Sequence, residues 1–366
     1  MRITDLNSVT ANPLDAGGSA SHETLKGSTL KGSLSVLGAR ACSPKTTQYS
    51  STRLIMQTTL ASEVALDGIG LHKGTLVNLV LKPASADTGI VFRRTDLAGS
   101  GDIFARYDTV CDTSMCTAIG NKTGASVATI EHLMAAVGAA GVDNLIVEID
   151  AHEVPVMDGS SDAFMDALDL AGTVELEEPR RYIRILEPIS LEEGDKKGAL
   201  EPYEDGFRIE LGIDFENRVI GKQFLGVDIT PDTFRDEIAN ARTFGFYKDV
   251  ELLRSLGLAK GASLDNAVVL DGETVMNEDG LRGPDEFVRH KILDAVGDLS
   301  LAGAPILGCY KGDKVGHAFN NQMLVKLFAN RQAWEYVTLS RVPGQGAESG
   351  RELAGQMMPQ LAVSAD

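Results

Sequence analysis

Cysteine is scarce in this sequence, and its pattern excludes a disulfide framework. The four cysteines form no CxxC pair and no dense cluster; they are Cys42, Cys111, Cys116 and Cys309. Reduced thiols in a cytoplasmic protein are the default for such usage. We therefore expect a cytoplasmic location.

Basic charge and long apolar runs are also missing. Lys and Arg number 34 against 52 Asp and Glu, which gives a net charge of −18 and a pI near 4.8. Sequence-independent binding of nucleic acid requires a surplus of Lys and Arg against phosphate, so we expect no nucleic-acid partner. The longest uncharged apolar run, residues 299–310, has twelve residues and contains a proline. Because a bilayer span needs roughly 20 residues, we expect no transmembrane segment.

The composition that remains is that of a globular protein. Of the 366 residues, 43% are hydrophobic and 23% are charged, and the length leaves room for two domains. Residues 1–53 differ, since sixteen of them are Ser or Thr. We expect this extension to be disordered and dispensable for folding and chemistry. The alternatives are a transit peptide, against which three acidic residues argue, and a start codon assigned too early, with the real start near Met56.

Apolar periodicity predicts strands and one helix in the first half of the chain. Residues 75–82 and 145–150 are rich in Val, Ile and Leu, which is typical of strands. Between them, four apolar residues recur at the spacing of one helical face: Ile130, Leu133, Met134 and Val137. Thr129 is the candidate N-cap of this helix, and Gly138 and Gly141 are candidate stop signals.

A polar break with a proline, residues 177–181, separates this half from a second half with a similar order of elements. Residues 207–215 alternate between apolar and polar, as in a strand with one buried face. A second long helix opens at Pro284-Asp285-Glu286. Its apolar face is formed by Val288, Ile292, Ala295 and Leu299. The sequence therefore predicts two α+β halves joined near residue 179.

The second long helix carries a polar stripe on another face. His290, Asp294 and Asp298 are spaced i, i+4 and i+8, so they stack along one side at steps of about 6 Å. A histidine and a carboxylate four residues apart can both reach one metal ion. The structural alternative is a solvated polar face, which the buried apolar side of the same helix makes less favoured.

A catalytic zinc site needs a third protein ligand from elsewhere. Among the six histidines, two candidates remain, His132 and His317. The others fit the N-terminal extension, a glycine-rich turn and a strand end; they are His22, His72 and His152. His132 follows Glu131, and a carboxylate beside a metal ligand is a suitable base for a metal-activated water. By spacing alone this Glu-His pair is weak, and a helix-capping acid is the favoured interpretation of Glu131.

Several long stretches nevertheless resemble one family, in that family's order. They are TLASEVALDGIGLHKG, TGIVFRRTDL, ATIEHLMAAVGAAGVDNLIVEI, EVPVMDGSS, ARTFGF, NEDGLRGPDEFVRHKILDAVGDL and GHAFNN. Residues 57 to about 338 are similar to UDP-3-O-acyl-N-acetylglucosamine deacetylases, the zinc amidases of lipid A biosynthesis in Gram-negative bacteria. The similarity does not reach residues 1–53 or the last 25 or so residues.

The resemblance implies an α+β fold of two similar domains, each with a helical layer packed against β-sheet, and an active site in the cleft between them. The expected domains are residues 54–178 and 179–338, followed by a C-terminal tail, 339–366. Each domain would carry an insert, at roughly 90–118 and 246–275 by position. The second insert would line a passage for the substrate's acyl chain.

The resemblance also implies a zinc site and a reaction. The zinc ligands would be His132, His290 and Asp294, and Glu131 matches the general base. The reaction would be hydrolysis by water of the N-acetyl amide of UDP-3-O-acyl-N-acetylglucosamine. The products would be UDP-3-O-acyl-glucosamine and acetate, in the committed step of lipid A biosynthesis.

Five further residues take roles from the resemblance. His317 matches the protonated histidine that stabilises the oxyanion and protonates the leaving amine, and Asp298 matches its carboxylate partner. Thr243 matches a hydroxyl that donates to the oxyanion. Phe244 matches a residue near the sugar, and Lys291 matches a cation near the substrate's hydroxyls or diphosphate.

The cysteine motif and the C-terminus of the sequence differ from the pattern of the family. Cys116-Thr117-Ala118 keeps only one cysteine of a frequent Cys-x-Cys. Residues 361–366 partly resemble the apolar tail that marks some relatives for proteolysis, which implies a regulatory protease, but the terminal Asp366 departs from that tail. We expect a monomer.

Two other functions compete with this one. A different zinc amidohydrolase would act on another acylated amino sugar, and only a substrate test separates the two. A sugar-nucleotide-binding module without catalysis would have lost one of the site residues, yet all five are present: Glu131, His132, His290, Asp294 and His317. A zinc peptidase is disfavoured because the sequence has no HExxH.

Overall fold

The computed structural model describes residues 53–341. The predictions for the N-terminal extension and for most of the C-terminal tail therefore lie outside the described residues. Within them are six α-helices: α1 (Glu131–Ala139), α2 (Asp162–Ala171), α3 (Pro231–Thr233), α4 (Tyr247–Ser255), α5 (Glu286–Ser300) and α6 (His317–Ala329). A 3-10 turn, Tyr107–Thr109, and a π-helical turn, Phe234–Ile238, complete the helical segments of this part of the chain.

The same residues contain 22 strands. In chain order they are β1 (Arg53–Leu54), β2 (Met56–Leu60), β3 (Val64–Ile69), β4 (Leu76–Pro83), β5 (Ile90–Arg94), β6 (Ile103–Phe104), β7 (Val110–Asp112), β8 (Ala118–Gly120), β9 (Ser126–Val127), β10 (Leu145–Ile149), β11 (Thr173–Pro179), β12 (Arg181–Ile185), β13 (Ile189–Glu193), β14 (Lys196–Glu201), β15 (Phe207–Asp214), β16 (Lys222–Asp228), β17 (Phe244–Phe246), β18 (Val268–Asp271), β19 (Thr274–Val275), β20 (Ile306–Asp313), β21 (Trp334–Thr338) and β22 (Ser340–Arg341).

Two larger sheets carry most of these strands. The first has the order β3-β4-β10-β5-β6, with β10 antiparallel to β4 and parallel to β5. The second has seven strands, in which β13-β14-β20-β12-β21 form the main path and β15 and β16 are attached through β20. Four smaller sheets, of two or three strands each, accompany them among the described residues.

Alternating burial explains why the predicted strands form. Strand β4 buries its three alternate side chains Val77, Leu79 and Leu81, and β15 buries Ile209, Leu211 and Ile213. Burial of each such side chain contributes about 1.5–3 kcal/mol to the free energy of folding. The strands predicted at 75–82, 145–150 and 207–215 are confirmed within one residue at each end.

Helices α1 and α5 pack against each other, and both predicted helices are confirmed. Helix α5 begins after Asp285 as its N-cap, in agreement with the predicted opening. The N-cap prediction for α1 is wrong, because the cap residue is Ile130 and no side chain caps the helix. Thr129 instead turns the chain with a φ of 56°. Gly141, with a φ of 72°, follows the helix end as a stop signal should.

The two regions expected to form inserts, 90–118 and 246–275, contain strands and one α-helix. Residues expected in the first insert include β5, which is a strand of the first large sheet, and the separate small sheet β7-β8-β9 lies at Val110–Val127 instead. The residues expected in the second insert contain α4, β18 and β19. Described residues all fall in one compact unit, and the domain boundary near residue 179 stays a prediction. No helix within 53–341 is long and apolar enough to cross a membrane.

Candidate metal centre

The paired helices α1 and α5 bring three metal-ligating side chains together. His132 lies in the first turn of α1, and His290 and Asp294 lie one turn apart on α5. All three are buried, and one potential ligand atom from each lies within 4.8 Å of the other two. The Nε2 atoms of His132 and His290 lie 3.7 and 3.4 Å from Oδ1 of Asp294. The structure thus joins the three residues predicted to hold the metal.

The hydrogen bonds around this cluster leave one ligand atom of His290 and one of Asp294 available for a metal ion. Nδ1 of His290 lies 3.0 Å from the Ala241 carbonyl oxygen, and a proton donated there leaves Nε2 with a free lone pair. Burial lowers the pKa of His290 to about 4, so its imidazole is neutral at pH 7. Lys291 Nζ donates to Oδ2 of Asp294 at 2.5 Å, and Oδ1 therefore stays available. Two imidazoles and one carboxylate suit a catalytic zinc ion.

Glu131 stands beside this cluster and does not cap a helix. Its carboxylate is buried at the first position of α1, where Oε2 accepts a hydrogen bond of 3.0 Å from the backbone amide of Thr117. The helix-capping interpretation, which spacing alone favoured, is therefore wrong. Burial raises the pKa of Glu131, against the opposing effect of His317 and His132. Such a carboxylate has the raised proton affinity of a general base.

The partly buried His317 and the buried Asp298 form a hydrogen-bonded pair next to Glu131. Nδ1 of His317, the first residue of α6, lies 2.9 Å from Oδ2 of Asp298. Its Nε2 lies 3.9 Å from Oε1 of Glu131. Burial alone would lower the pKa of His317, but the charge and hydrogen bond of Asp298 outweigh it and raise the pKa to about 10. His317 is therefore an imidazolium at neutral pH and can donate a proton.

Three residues around this pair were missed in the sequence. Asn320 Nδ2 donates to Oδ2 of Asp298 at 2.8 Å, and Tyr310 donates to the amide oxygen of Asn320 at 2.7 Å. The Thr117 hydroxyl donates to Oδ1 of Asp298 at 2.6 Å. Asn320 lies three residues after His317 on the same helix, and that spacing was the one signal available. Thr117 and Tyr310 are remote in sequence and gave none.

The remaining predicted residues are Thr243, directly before β17, Phe244, the first residue of β17, and Lys291 on α5. The Ala241 carbonyl bonds His290, Thr243 follows two residues later, and its backbone is tied to Gly159 and Val268. The ring of Phe244 lies 6.2 Å from that of His290, in an edge contact. Lys291 Nζ lies 6.0 Å from the Phe244 ring centre. Phe244 and Lys291 thus border the cluster, and Lys291 is bound to Asp294 in addition.

The two other histidines of the described residues, His72 and His152, are not part of the group of three metal-ligating side chains. His72 is buried in the turn before β4, where its backbone amide donates to Glu153 at 3.0 Å. His152 follows β10, as expected for a residue after a strand end, and its carbonyl accepts from Ala128. Neither belongs to the metal-ligating group of His132, His290 and Asp294.

A buried ligand set that borders both a base and a proton donor is what metal-dependent hydrolases need, and this fold and site place the protein in that class. Comparison with known proteins supplies the family. The family model for UDP-3-O-acyl N-acetylglycosamine deacetylase matches residues 57–329. The chain belongs to this family, and the resemblance found in its motifs is confirmed.

The matches to individual relatives extend over nearly the whole length of each relative. A UDP-3-O-acyl-N-acetylglucosamine deacetylase from Idiomarina loihiensis is 50% identical over 287 residues, 78% of this chain and 94% of the relative. Proteins with the same description from Pseudoalteromonas translucida and Phenylobacterium zucineum are 49% and 47% identical. They match 81% and 78% of this chain, and 99% and 98% of their own lengths.

Proposed function

We propose that this protein hydrolyses the N-acetyl amide of UDP-3-O-acyl-N-acetylglucosamine and releases acetate and UDP-3-O-acyl-glucosamine. The observation that carries the proposal is the buried group of His132, His290 and Asp294 beside Glu131 and the His317 imidazolium, in a chain of this family. Amide hydrolysis needs a base for the water and an acid for the leaving nitrogen. Both groups are present in one site, where Nε2 of His317 lies 3.9 Å from Oε1 of Glu131.

His132, His290 and Asp294 would hold a zinc ion. Their fit rests on the neutral His290 imidazole, the fixed Nδ1 proton and the free Oδ1 of Asp294. When bound, zinc lowers the pKa of a water and polarises a carbonyl oxygen. The ligand set leaves the ion with a net charge of about +1, which preserves that effect.

Glu131 and His317 would carry the protons. Glu131 Oε1 accepts a proton from the attacking water, since its Oε2 is already bonded to Thr117. His317 Nε2 points toward Glu131, and its Nδ1 is held by Asp298. The imidazolium therefore stabilises the oxyanion and then protonates the departing sugar nitrogen.

The remaining residues would bind and orient the substrate. We assign Thr243 as the donor to the oxyanion and Phe244 as the surface against which the sugar packs. Lys291 would supply positive charge for the substrate's hydroxyls or diphosphate, in a chain that is otherwise acidic. Asp298 keeps His317 charged and oriented.

We further propose that each large sheet with its helices is one of two domains, and that the site lies in the cleft between them. Helix α4 in the second insert buries no side chain, and Leu252 and Leu256 are 61% and 66% exposed. This uncovered apolar surface is what a passage for an acyl chain requires. A cytoplasmic location, a monomeric state and a regulatory protease stay predictions.

The direct test is mass spectrometry of products from a panel of acylated amino-sugar nucleotides. We expect loss of one acetyl group from UDP-3-O-acyl-N-acetylglucosamine, loss of activity with a metal chelator, and recovery on addition of zinc. Glu131→Gln is the matched inactive control. Equal or greater activity on another acylated amino sugar would favour the rival amidohydrolase, and unchanged substrate throughout would overturn the proposal.

A further inference from the structure

Thr117 joins the two carboxylates that flank the site. It lies between β7 and β8 and is 1% exposed. Its backbone amide donates to Oε2 of Glu131 at 3.0 Å, and its hydroxyl donates to Oδ1 of Asp298 at 2.6 Å. Its carbonyl accepts from the amide of Ile130, the residue before Glu131. One residue is thus bonded to the start of α1 and to the last turn of α5.

The two oxygens of Asp298 have different partners. Oδ2 accepts from His317 and from Asn320, and the Asn320 amide is oriented in turn by the Tyr310 hydroxyl. Oδ1 accepts from Thr117. A carboxylate held at one oxygen alone can still turn about its Cβ–Cγ bond. The Thr117 hydroxyl therefore fixes the plane of the carboxylate, and with it the direction in which the His317 ring is held.

We propose that Thr117 is a positioning residue that fixes the general base and the Asp298–His317 pair relative to each other. Its amide is bonded to the Oε2 atom of Glu131 that does not accept the proton, and its hydroxyl acts through Asp298. Proton transfer to a leaving group depends steeply on distance and angle, so a small rotation of His317 reduces the rate without weakening binding. This inference rests on the deacetylase activity proposed above.

The charged groups around His317 determine what its titration reports. Asp298 and Asp294 face it from α5, and Glu131 faces it from α1. Lys291, also on α5, is bonded to Asp294. If the Asp298 carboxylate turns away, burial dominates and the pKa of His317 falls. If the carboxylate stayed in place and only lost a donor, its charge would be less dispersed and the pKa of His317 would rise.

The test compares Thr117→Val, which removes the hydroxyl at nearly constant volume, with Thr117→Ser, which keeps it. Thr59→Val is the matched control. Thr59 is also buried, and its hydroxyl donates to the Asn144 carbonyl and accepts from the Ala84 amide, away from the site residues. For every variant the melting temperature, zinc content, kcat and KM are measured on the zinc-loaded protein.

We expect Thr117→Val to lower kcat by about tenfold or more with KM within about twofold, and Thr117→Ser to restore most of kcat. Thr59→Val should lower the melting temperature about as much as Thr117→Val does, because it also removes a buried hydroxyl, and it should leave kcat unchanged. In an Asp298→Ala background, Thr117→Val should change kcat by less than about twofold, because its acceptor is gone. An equal loss in both backgrounds, or wild-type kcat for Thr117→Val, would overturn the proposal.

A second readout does not depend on activity. A ¹⁵N NMR titration of histidine-labelled protein, with the His317 signal assigned by its loss in His317→Ala, should show a lower pKa for His317 in Thr117→Val. A pKa that is unchanged or higher would contradict the positioning role. The failure of the proposed function is distinguishable, since wild-type protein would then release no acetate while the NMR difference persisted.

Discussion

Gly297 of α5 lies directly against the backbone carbonyl of Glu131 in α1. A Cβ atom at position 297 would lie 2.0 Å from that oxygen, far inside van der Waals contact. The helices that carry the metal ligands can therefore approach each other only because position 297 has no side chain. This contact between the two helices lies at the residue that we assign as the base.

We expect Gly297→Ala to push α1 away from α5 and so to separate His132 from its partners on α5. The variant should bind zinc with at least tenfold lower affinity and lose most of its activity. Gly283→Ala is the control, since the nearest atom to its Cβ would be an Asp285 carboxylate oxygen at 3.6 Å, an ordinary contact. Metal titration of both proteins checks this, and an unchanged zinc affinity in Gly297→Ala would show that the helices can shift freely.

His290→Ala and Glu131→Gln separate metal binding from base catalysis. We expect His290→Ala to lose zinc, because one of three protein ligands is gone. Glu131→Gln should keep zinc and lose about 10²–10⁴-fold in rate, because only the proton acceptor is removed. Elemental analysis beside a deacetylation assay measures both. A zinc-free Glu131→Gln protein would mean that this carboxylate is itself a ligand.

The pH profile should be bell-shaped, with Glu131 on the acid limb and His317 on the basic limb. Glu131 must be ionised to accept a proton, so the rate falls as pH drops through its pKa, which burial raises. His317 must be protonated to donate, and the rate falls as pH rises through its pKa of about 10. Asp298→Ala removes the group that raises that pKa, and the basic limb should move to lower pH with zinc content unchanged. His317→Ala should flatten the limb, and a limb unaffected by Asp298→Ala would refute the assignment.

Arg242 and Glu286 form a buried ion pair beside the site. Arg242 Nε donates to Glu286 Oε1 at 2.8 Å, and the two side chains are 8% and 2% exposed. Arg242→Met would leave a buried carboxylate without this partner, and we expect a loss of about 3–5 kcal/mol in the free energy of unfolding. Arg93→Met, which breaks an exposed pair with Asp102, should cost less than about 1 kcal/mol. Urea unfolding measures the free energy of unfolding of both variants. Equal losses in the two variants would contradict the prediction.

The acyl passage that we propose at the second insert predicts a dependence of KM on acyl-chain length. Each methylene buried from water contributes about 0.8 kcal/mol, so each one removed from the substrate should raise KM by up to about fourfold. The dependence should end once the chain no longer reaches the apolar residues of the second insert, which are Val250, Leu252, Leu253, Leu256 and Leu258. Kinetics on a series of acyl lengths measures it. Equal kcat/KM across the series would rule out the passage.

Periodicity and motif sequence determined much of this protein. The strands around Leu79 and Leu211 and the two helices of the site follow from local alternation and helical spacing, which depend on neighbours in sequence. The stripe of His290, Asp294 and Asp298 is likewise a local pattern. The motif resemblance to the family then named His132 as the ligand from the other helix, a choice that spacing alone left open.

Only the tertiary structure determines which residues that are distant in sequence contact each other in the site. Residue spacing favoured Glu131 as a helix cap, whereas the fold gives its carboxylate the Thr117 amide and the His317 imidazolium as neighbours. Thr129, which the sequence predicted as an N-cap, instead has the left-handed backbone conformation of a turn residue. Thr117 and Asp298 are separated by 181 positions, yet their side chains form a single hydrogen bond. A pKa and a hydrogen bond depend on distance and burial in three dimensions, and neither is encoded in the spacing of residues along one helix.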